Sequence, residues 1–183
     1  IYLIQDAAHS FLAKYNSKHI CEYADFTCYS FQAIKHFTCG DGGAIISKNL
    51  NNFKKSKRLK WFGYDRDSSK DKYGNWKKPQ ENADIKENDI GYKFNMNNIS
   101  AAIGLGEVKN INSTITKHIR NANLYNKHFK NQKKIIPIRQ SLKARSVYWV
   151  YTIILDKSLD RTKIIKNLKK HNISSGQIHI PND

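Results

Sequence analysis

Short apolar blocks separated by glycine, asparagine and small polar residues organise the first fifty residues of the chain. The opening segment from Ile1 ends in Gln5 and Asp6, which is typical of a buried parallel strand that delivers an acid at its carboxyl end. Apolar and aromatic residues over Ala24–Phe31 and again over Ala44–Ser47 predict two further short strands. Asn49 can cap a helix that runs to about Lys60.

The second half of the chain has a helical period followed by a strand pattern. A helix is predicted from Asn98 to about Asn131, with one buried stripe formed by Leu105, Val108, Ile111, Ile115 and Ile119. Val147–Leu155 is rich in aromatic and β-branched residues and predicts a strand. Asp160 then caps a helix that carries Ile164, Ile165 and Leu168, and a last strand is predicted over Ser175–Ile180. The pattern predicts an α/β domain that continues into a smaller α+β domain.

The segment Trp61–Asp89 has no apolar period. It contains Gly63, Gly74, Pro79 and scattered charges, and it therefore predicts a long loop. Long loops in compact enzymes are usually functional or mobile.

The stretch Tyr29–Gly43, YSFQAIKHFTCGDGG, places a single lysine just beyond the end of an apolar strand. Gly40, Gly42 and Gly43 follow and would allow positive φ in the turn. Apolar cover favours the neutral amine of Lys35, which is the form that attacks a carbonyl to make a Schiff base. The alternative is that Lys35 is an ordinary surface lysine in a hairpin. The residues upstream argue against this alternative.

Those residues are Ile1–Lys14, in which Asp6 is followed by two alanines and His9. A carboxylate at a strand end can pair with the protonated nitrogen of a pyridine ring, as pyridoxal phosphate requires. Taken alone, such an aspartate is more often a helix cap or a metal or ribose ligand. The combination with Lys35 makes the cofactor interpretation specific.

The motifs DAAH and SFQAIKHFTCGDGGAI closely resemble the acid strand and lysine hairpin of the DegT/DnrJ/EryC1/StrS family of sugar aminotransferases. Further similar segments are LKWFGYDR, GYKFNMNNISAAIG and GQIHIPND, in the order that the family has them. The resemblance implies the type I fold of pyridoxal-phosphate enzymes: a large domain with a mostly parallel sheet, then a long helix into a small α+β domain. It places residues 1–108 in the second half of the large domain, and residues 109–183 in the interdomain helix and the start of the small domain.

The resemblance also implies roles for individual residues. Lys35 would form the Schiff base with pyridoxal 5′-phosphate and then move the proton during catalysis. Asp6 would keep the pyridine nitrogen protonated, and His9 stands where the family has glutamine or histidine near the phenolic oxygen. Ser30 would bind the cofactor phosphate.

Asn95 is similar in position to an asparagine that some members send across a homodimer to the partner's cofactor phosphate. Other members have that asparagine two positions earlier, where this chain has Lys93. The resemblance therefore implies a homodimer with a shared active site. Family members are roughly twice as long, and we expect the chain alone, without the rest of the cofactor pocket, to be inactive.

The chain carries a net charge of +17 with 32 basic residues, which at first suggests a nucleic-acid partner. However, 26 of these are lysines dispersed along the sequence, and the chain also has 19 asparagines. This lysine and asparagine excess is typical of an AT-rich genome. Nucleic-acid sites rely more on clustered arginine and interleaved aromatics, so we expect no nucleic-acid partner.

Cys21, Cys28 and Cys39 have neither paired number nor CxxC spacing, so neither a disulfide framework nor a metal site is expected. The sequence has no signal peptide and no apolar run of transmembrane length. Together these features favour a cytoplasmic protein without a membrane partner.

The resemblance implies an aminotransferase that moves an amino group, from glutamate as the expected donor, to a nucleotide-linked keto-sugar for surface polysaccharide or lipopolysaccharide. A related branch has histidine in place of the lysine and performs dehydration; Lys35 favours transamination here. A dehydratase, a cysteine-sulfur enzyme of the same fold and a non-catalytic regulatory relative remain alternatives. The joint presence of Asp6, Ser30 and Lys35 argues against the last.

Overall fold

The computed structural model describes residues 1–77 and 90–178. Its elements in chain order are β1 (Ile4–Asp6), β2 (Lys14–Tyr15), β3 (Lys18–His19), β4 (Phe26–Ser30), β5 (Gly43–Ser47), α1 (Leu50–Leu59), α2 (Asn98–Glu107), α3 (Ile111–Phe129), β6 (Ile135–Pro137), β7 (Ala144–Arg145), β8 (Ile153–Leu155) and α4 (Arg161–Lys170). The predicted mixed α/β fold is confirmed. Asn49 and Asp160 cap α1 and α4 through their side chains, as the sequence predicts.

The sheet that matters for the site has the order β1-β4-β5. β1 is parallel to β4, with Asp6 opposite Cys28, and β4 is antiparallel to β5, with Ser30 opposite Gly43. Because side chains alternate across a strand, Asp6, Cys28 and Ser30 share one face of this sheet. Thr27 and Tyr29 face the opposite side and are buried.

The lysine loop (residues 31–42) joins β4 to β5. Gly40 adopts a φ of +82°, which a residue with a Cβ rarely adopts. Gly43 does not have the positive φ expected of it. Glycine is needed there for space, because a Cβ would lie 2.5 Å from the carbonyl oxygen of Tyr29 on the neighbouring strand.

The long helix predicted from Asn98 is two helices, α2 and α3, with a break at residues 108–110. Ile111 and Ile115 of the predicted stripe are buried, but Leu105 is 71% exposed and Val108 is 55% exposed. The break ends the single stripe, because residues on either side of it no longer share one helical face.

Two of the predicted strands differ from the structure. Only Ile153–Leu155 of the predicted 147–155 strand is extended and paired, with β6. Residues 147 and 148 do not continue this strand. Their carbonyl oxygens accept hydrogen bonds from the rings of His36 and His118, and Tyr148 has a φ of +48°. Residues 175–178 form no strand, and the rest of that prediction lies outside the described residues.

Two adjoining apolar clusters form the core. One is built from Ala7, Tyr29, Phe31 and Cys39, and the other from Ala13, Ile111, Ile115 and Val147; Phe11 and Phe37 pack against both. β2 also pairs with β7. Contacts therefore cross the boundary proposed at residue 108: β2 and β7 share a separate small sheet of order β3-β2-β7, and Val147 packs with Ala13 in the second cluster.

The first strand is more exposed than the sequence suggests. Tyr2, Leu3 and Ile4 are all exposed, so the predicted burial of this strand is wrong, while its parallel direction is confirmed by the pairing of Ile4–Asp6 with β4. Within residues 1–77 and 90–178, no helix has the length and apolar character that a membrane span requires.

Candidate active site

Asp6 and Ser30 lie at the carboxyl ends of neighbouring parallel strands. The carboxylate oxygen Oδ1 of Asp6 accepts the backbone N–H of Ala8 at 3.0 Å. The Ser30 hydroxyl accepts the backbone N–H of Gln32 at 3.4 Å, which ties it to the start of the lysine loop. The fold thus brings an acid and a hydroxyl to the same edge and face of the sheet, where open α/β sheets bind ligands.

Lys35 lies in the lysine loop and is half-buried. Its neighbour in sequence, Ile34, is 62% exposed. The apolar group beside Lys35 is the indole of Trp149, with the Lys35 ammonium 4.6 Å from the ring centroid. Among the described residues, the ammonium forms no ion pair.

His9 reaches the same indole from the segment after β1. Its imidazole stacks on Trp149 with centroids 3.8 Å apart and an interplanar angle of 12°. The indole N–H donates to the carbonyl oxygen of Ile34 at 2.8 Å. His9 and Lys35, which are 26 positions apart in the sequence, therefore meet at one aromatic ring.

Behind Lys35, His36 is buried and shares a hydrogen bond of 3.0 Å, through Nε2, with the carbonyl oxygen of Val147. His118 of α3 makes a similar bond, through Nδ1, to the carbonyl oxygen of Tyr148 at 3.0 Å. The two imidazoles lie edge to face with centroids 4.8 Å apart. Burial lowers the pKa of His36 below its ordinary value of 6.5, and nearby His118 and His9 lower it further, so the neutral ring is the favoured form.

Asn95 does not line the cleft beside His9 and Trp149. It borders a different cleft of about 390 Å³. Basic and aromatic side chains line that cleft, among them Lys57, Lys60, Trp61, Arg66 and Lys70. The amide nitrogen of Asn95 donates to the carbonyl oxygen of Met96 at 3.3 Å, while its buried Oδ1 has no hydrogen-bond donor among the described residues.

Asp6, Ser30 and Lys35 fit the chemistry of pyridoxal phosphate. A carboxylate suits a pyridinium N–H, a primary amine suits an aldehyde carbon, and a hydroxyl suits a phosphate oxygen. Asp6, Lys35 and Ser30 supply these three groups from two neighbouring strands and the loop that follows. Asn95 borders a different cleft.

A smaller cleft of about 290 Å³ adjoins the His9 and Trp149 pair. Its lining includes Arg139, Gln140 and Ser146 beside Tyr148. Ligand pockets in proteins are typically about 300–1,000 Å³, so this cleft suits a molecule the size of an amino acid better than a nucleotide-linked sugar.

Sequence reasoning missed Trp149, His36 and His118. Trp149 falls in a run that predicts a strand, where an aromatic residue is ordinary. His36 and His118 are 82 positions apart, so no local spacing indicates that they meet. A tertiary contact alone reveals them.

The chain is similar to several known sugar aminotransferases. The UDP-4-amino-4,6-dideoxy-N-acetyl-beta-L-altrosamine transaminase of Campylobacter jejuni is 28% identical over 85% of this chain and 38% of its own length. The crystal structure of AtS13 from Actinomadura melliaura superposes with a TM-score of 0.84 and 26% identity, over 98% of this chain and 45% of that one. Spr1654 from Streptococcus pneumoniae, solved in its PMP form, has a TM-score of 0.77 and 25% identity, over 99% of this chain and 44% of that one.

The chain spans less than half the length of the curated relatives that it matches. The model of one family nevertheless matches residues 1–182, almost every residue of the chain. With the type I fold confirmed by the solved structures, and an acid, a hydroxyl and a lysine at the end of its parallel strands, the chain belongs to the DegT/DnrJ/EryC1/StrS aminotransferase family.

Proposed function

We propose that the protein containing this chain is a pyridoxal-phosphate-dependent aminotransferase that acts on a nucleotide-linked keto-sugar. The observation that carries the proposal is the family match over residues 1–182, together with Asp6, Ser30 and Lys35 at one end of the sheet. When bound, pyridoxal phosphate draws electrons from the substrate carbon that bears the nitrogen and carries the amino group from donor to acceptor.

Each residue has a distinct role in the proposal. The Asp6 carboxylate would keep the pyridine nitrogen protonated, because its negative charge stabilises the pyridinium cation. Ser30 donates its hydroxyl to the phosphate while keeping the backbone bond from Gln32. Lys35 would hold the cofactor at its aldehyde carbon, and its Nζ would carry a proton between the two carbons that exchange it. His9, whose imidazole stacks on Trp149, would lie near the phenolic oxygen of the cofactor.

The substrate class follows from the relatives. The Campylobacter jejuni relative is named as the transaminase of a UDP-linked amino sugar, and nucleotide-linked sugars are the class that we propose here. The cleft of about 290 Å³ beside Arg139 is suited to the amino donor, for which we propose glutamate, because a guanidinium binds carboxylates well. We propose surface polysaccharide, such as lipopolysaccharide, as the destination of the product.

We further propose a homodimer in which Asn95 serves the partner's cofactor phosphate. Support comes from the lysines and the arginine that line its cleft beside Asp65 and Asp67, and from the exposure of its apolar neighbours; the side-chain Nδ2 of Asn95 would be the donor to the phosphate. Phe94 is 75% exposed and Ile99 is 77% exposed, which is unusual for large apolar side chains that flank a buried polar atom.

The cytoplasm is the proposed compartment. Cys21, Cys28 and Cys39 are all free thiols, which suits a reducing environment.

The test uses the protein as its gene encodes it. Pyridoxal phosphate is added, and borohydride then reduces any Schiff base. In that base, Nζ has bonded to the aldehyde carbon with loss of water, and hydride delivery makes the link permanent. Peptide mass spectrometry should find the cofactor on Lys35. In a separate sample without borohydride, glutamate should convert the cofactor aldehyde to its amine with release of the 2-oxoacid, and a nucleotide-linked keto-sugar should take up the amino group and restore the aldehyde. Lys35→Ala should lose the label completely.

A label on another lysine, or on the Lys35→Ala protein, would contradict the assignment of Lys35. Labelling of Lys35 without amine formation in the presence of any amino donor would instead favour the dehydratase or regulatory alternatives.

A further inference from the structure

The backbone of residues 147–149 is fixed to the lysine loop and to α3 by three hydrogen bonds that join distant parts of the chain. We call this arrangement the carbonyl clamp: His36 to Val147, His118 to Tyr148, and Trp149 to Ile34. The first and third bonds join residues 111 and 115 positions apart. Together they hold Tyr148 at a φ of +48°, where a bulky residue is strained and persists only when its surroundings fix it.

The clamp gives the indole of Trp149 one orientation. The ring is joined to the backbone on one side, and its N–H is bonded to Ile34 O, one residue before Lys35. A tryptophan held at two points cannot change rotamer without breaking a hydrogen bond. Its position is therefore coupled to that of the lysine loop itself.

The ring contacts two residues proposed for the site. The His9 imidazole stacks on it with a centroid distance of 3.8 Å, and the Lys35 ammonium lies 4.6 Å from its centroid. A cation over an indole face is electrostatically favoured. Without such a contact, the Lys35 side chain would be flexible. Holding it in one place restricts its rotamers.

We infer that Trp149 is a positioning residue, which holds the Lys35 amine and the His9 ring in the arrangement that captures the cofactor aldehyde. The inference rests on the proposed function. It adds a residue from beyond α3 to a site otherwise built from the first 35 positions, and it explains why the 147–149 backbone departs from the strand that its sequence predicts. Reactions that depend on a near-attack geometry lose up to about 10²-fold in rate when a group shifts by about 1 Å.

The test compares Trp149→Leu and Trp149→Phe with Phe53→Leu in the protein as encoded. Phe53 is an aromatic residue of α1, and its one ring contact in the described residues is to Lys57. Trp149→Leu should slow the borohydride-trapped capture of pyridoxal phosphate by Lys35 about tenfold. Trp149→Phe keeps a ring but lacks the N–H donor, so its rate should lie between those of Trp149→Leu and wild type. Phe53→Leu should match wild type.

A second readout separates positioning from a general loosening of the loop. Reductive methylation of Lys35 with formaldehyde reports how accessible the amine is, and it does not depend on where a bulky aldehyde must sit. Positioning by Trp149 predicts slower capture of pyridoxal phosphate with unchanged or faster methylation. In turnover assays, kcat should fall while the KM for the sugar changes little.

Equal rates of cofactor capture in wild type and both Trp149 variants would overturn the inference while leaving the proposed function intact. If Trp149→Leu does not fold, the Trp149→Phe comparison decides in the same way. Failure of the wild-type protein to capture the cofactor at all would instead overturn the proposed function.

Discussion

The lysine loop (residues 31–42) and the asparagine segment (residues 90–99) each carry a polar residue proposed for the site, but different contacts hold the two segments in place. The lysine loop is fixed on several sides by its own chain: by the core through Phe31 and Cys39, and by the carbonyl clamp. The asparagine segment is tied to residues 59–62 by backbone bonds of Tyr92 and Phe94, while the Met96 side chain lies beside Gly42 and the Asn97 side chain caps α2. Its large apolar side chains remain exposed.

The difference indicates which parts of the site this chain completes. Around Lys35, the ring nitrogens of His36, His118 and Trp149 have backbone partners, although Gln5 Oε1 and Thr27 Oγ1 in the adjoining strands have none among the described residues. Around Asn95, a buried oxygen has no donor among the described residues, and the apolar flank has no cover from them. Buried polar atoms in proteins are usually satisfied, so the missing partner is expected outside this part of the chain.

The largest effect should come from the acid at the end of β1. Asp6→Asn should lower kcat about 10³-fold with the cofactor still bound, because a neutral amide cannot balance the charge of a pyridinium. Steady-state turnover and cofactor absorbance measure the two effects. Asp41→Asn, an exposed aspartate of the lysine loop, is the matched control and should behave as wild type. Near-normal turnover in Asp6→Asn would remove Asp6 from its role.

A pair of isoleucine variants tests which region depends on internal packing. Ile115 is 1% exposed in the core beside Val147, so Ile115→Ala should lower the free energy of unfolding by about 2–5 kcal/mol. Ile99→Ala, at an exposed position, should change it by under about 0.5 kcal/mol apart from any loss of self-association. Urea unfolding at low and high protein concentration separates the two contributions. A concentration-independent loss at Ile99 as large as that at Ile115 would contradict the contrast.

Subunit mixing sharpens the comparison further. Lys35→Ala and Asn95→Asp proteins should each be inactive, the second because a carboxylate repels phosphate. If Asn95 serves the partner's site, random exchange gives half hybrid dimers with one competent site each, or about a quarter of wild-type activity. Activity after denaturation and refolding of the mixture is the measurement. No recovery despite proven exchange would place Asn95 in its own chain's site or outside it.

The smallest effect concerns pH and the clamp. Since the folded state lowers the pKa of His36 from 6.5, the unfolded state binds more protons as pH falls, and stability falls with it. The loss should begin near pH 6.5 and continue down to the lowered folded-state pKa. Urea unfolding at pH 7.5 and 5.5 should show a smaller pH dependence in His36→Gln, which keeps a donor for Val147 but cannot titrate. An unchanged pH dependence would exclude His36 as its source.

Several elements could be predicted from sequence because their causes are local. Asn49 and Asp160 cap their helices through bonds to backbone groups two or three residues away. The alternation in β4 correctly predicts a strand, and its neighbour β1 is parallel as expected. The helix from Asn98 was predicted too long, because the apolar spacing continues through a break that the pattern does not mark. The roles of Asp6, His9, Ser30, Lys35 and Asn95 remain predictions.

The sequence by itself determined the family, the parallel strand that ends in Asp6, and the position of Lys35 after a buried strand, since each is written in contiguous residues. Only the tertiary structure decided that Trp149 and His9 meet Lys35, that His36 and His118 hold the 147–148 backbone, and that Asn95 lies in a separate basic cleft. These contacts join residues as many as 140 positions apart. Side chains so distant meet only because packing of the two apolar clusters and the carbonyl clamp brings their elements together, and no local period records that packing.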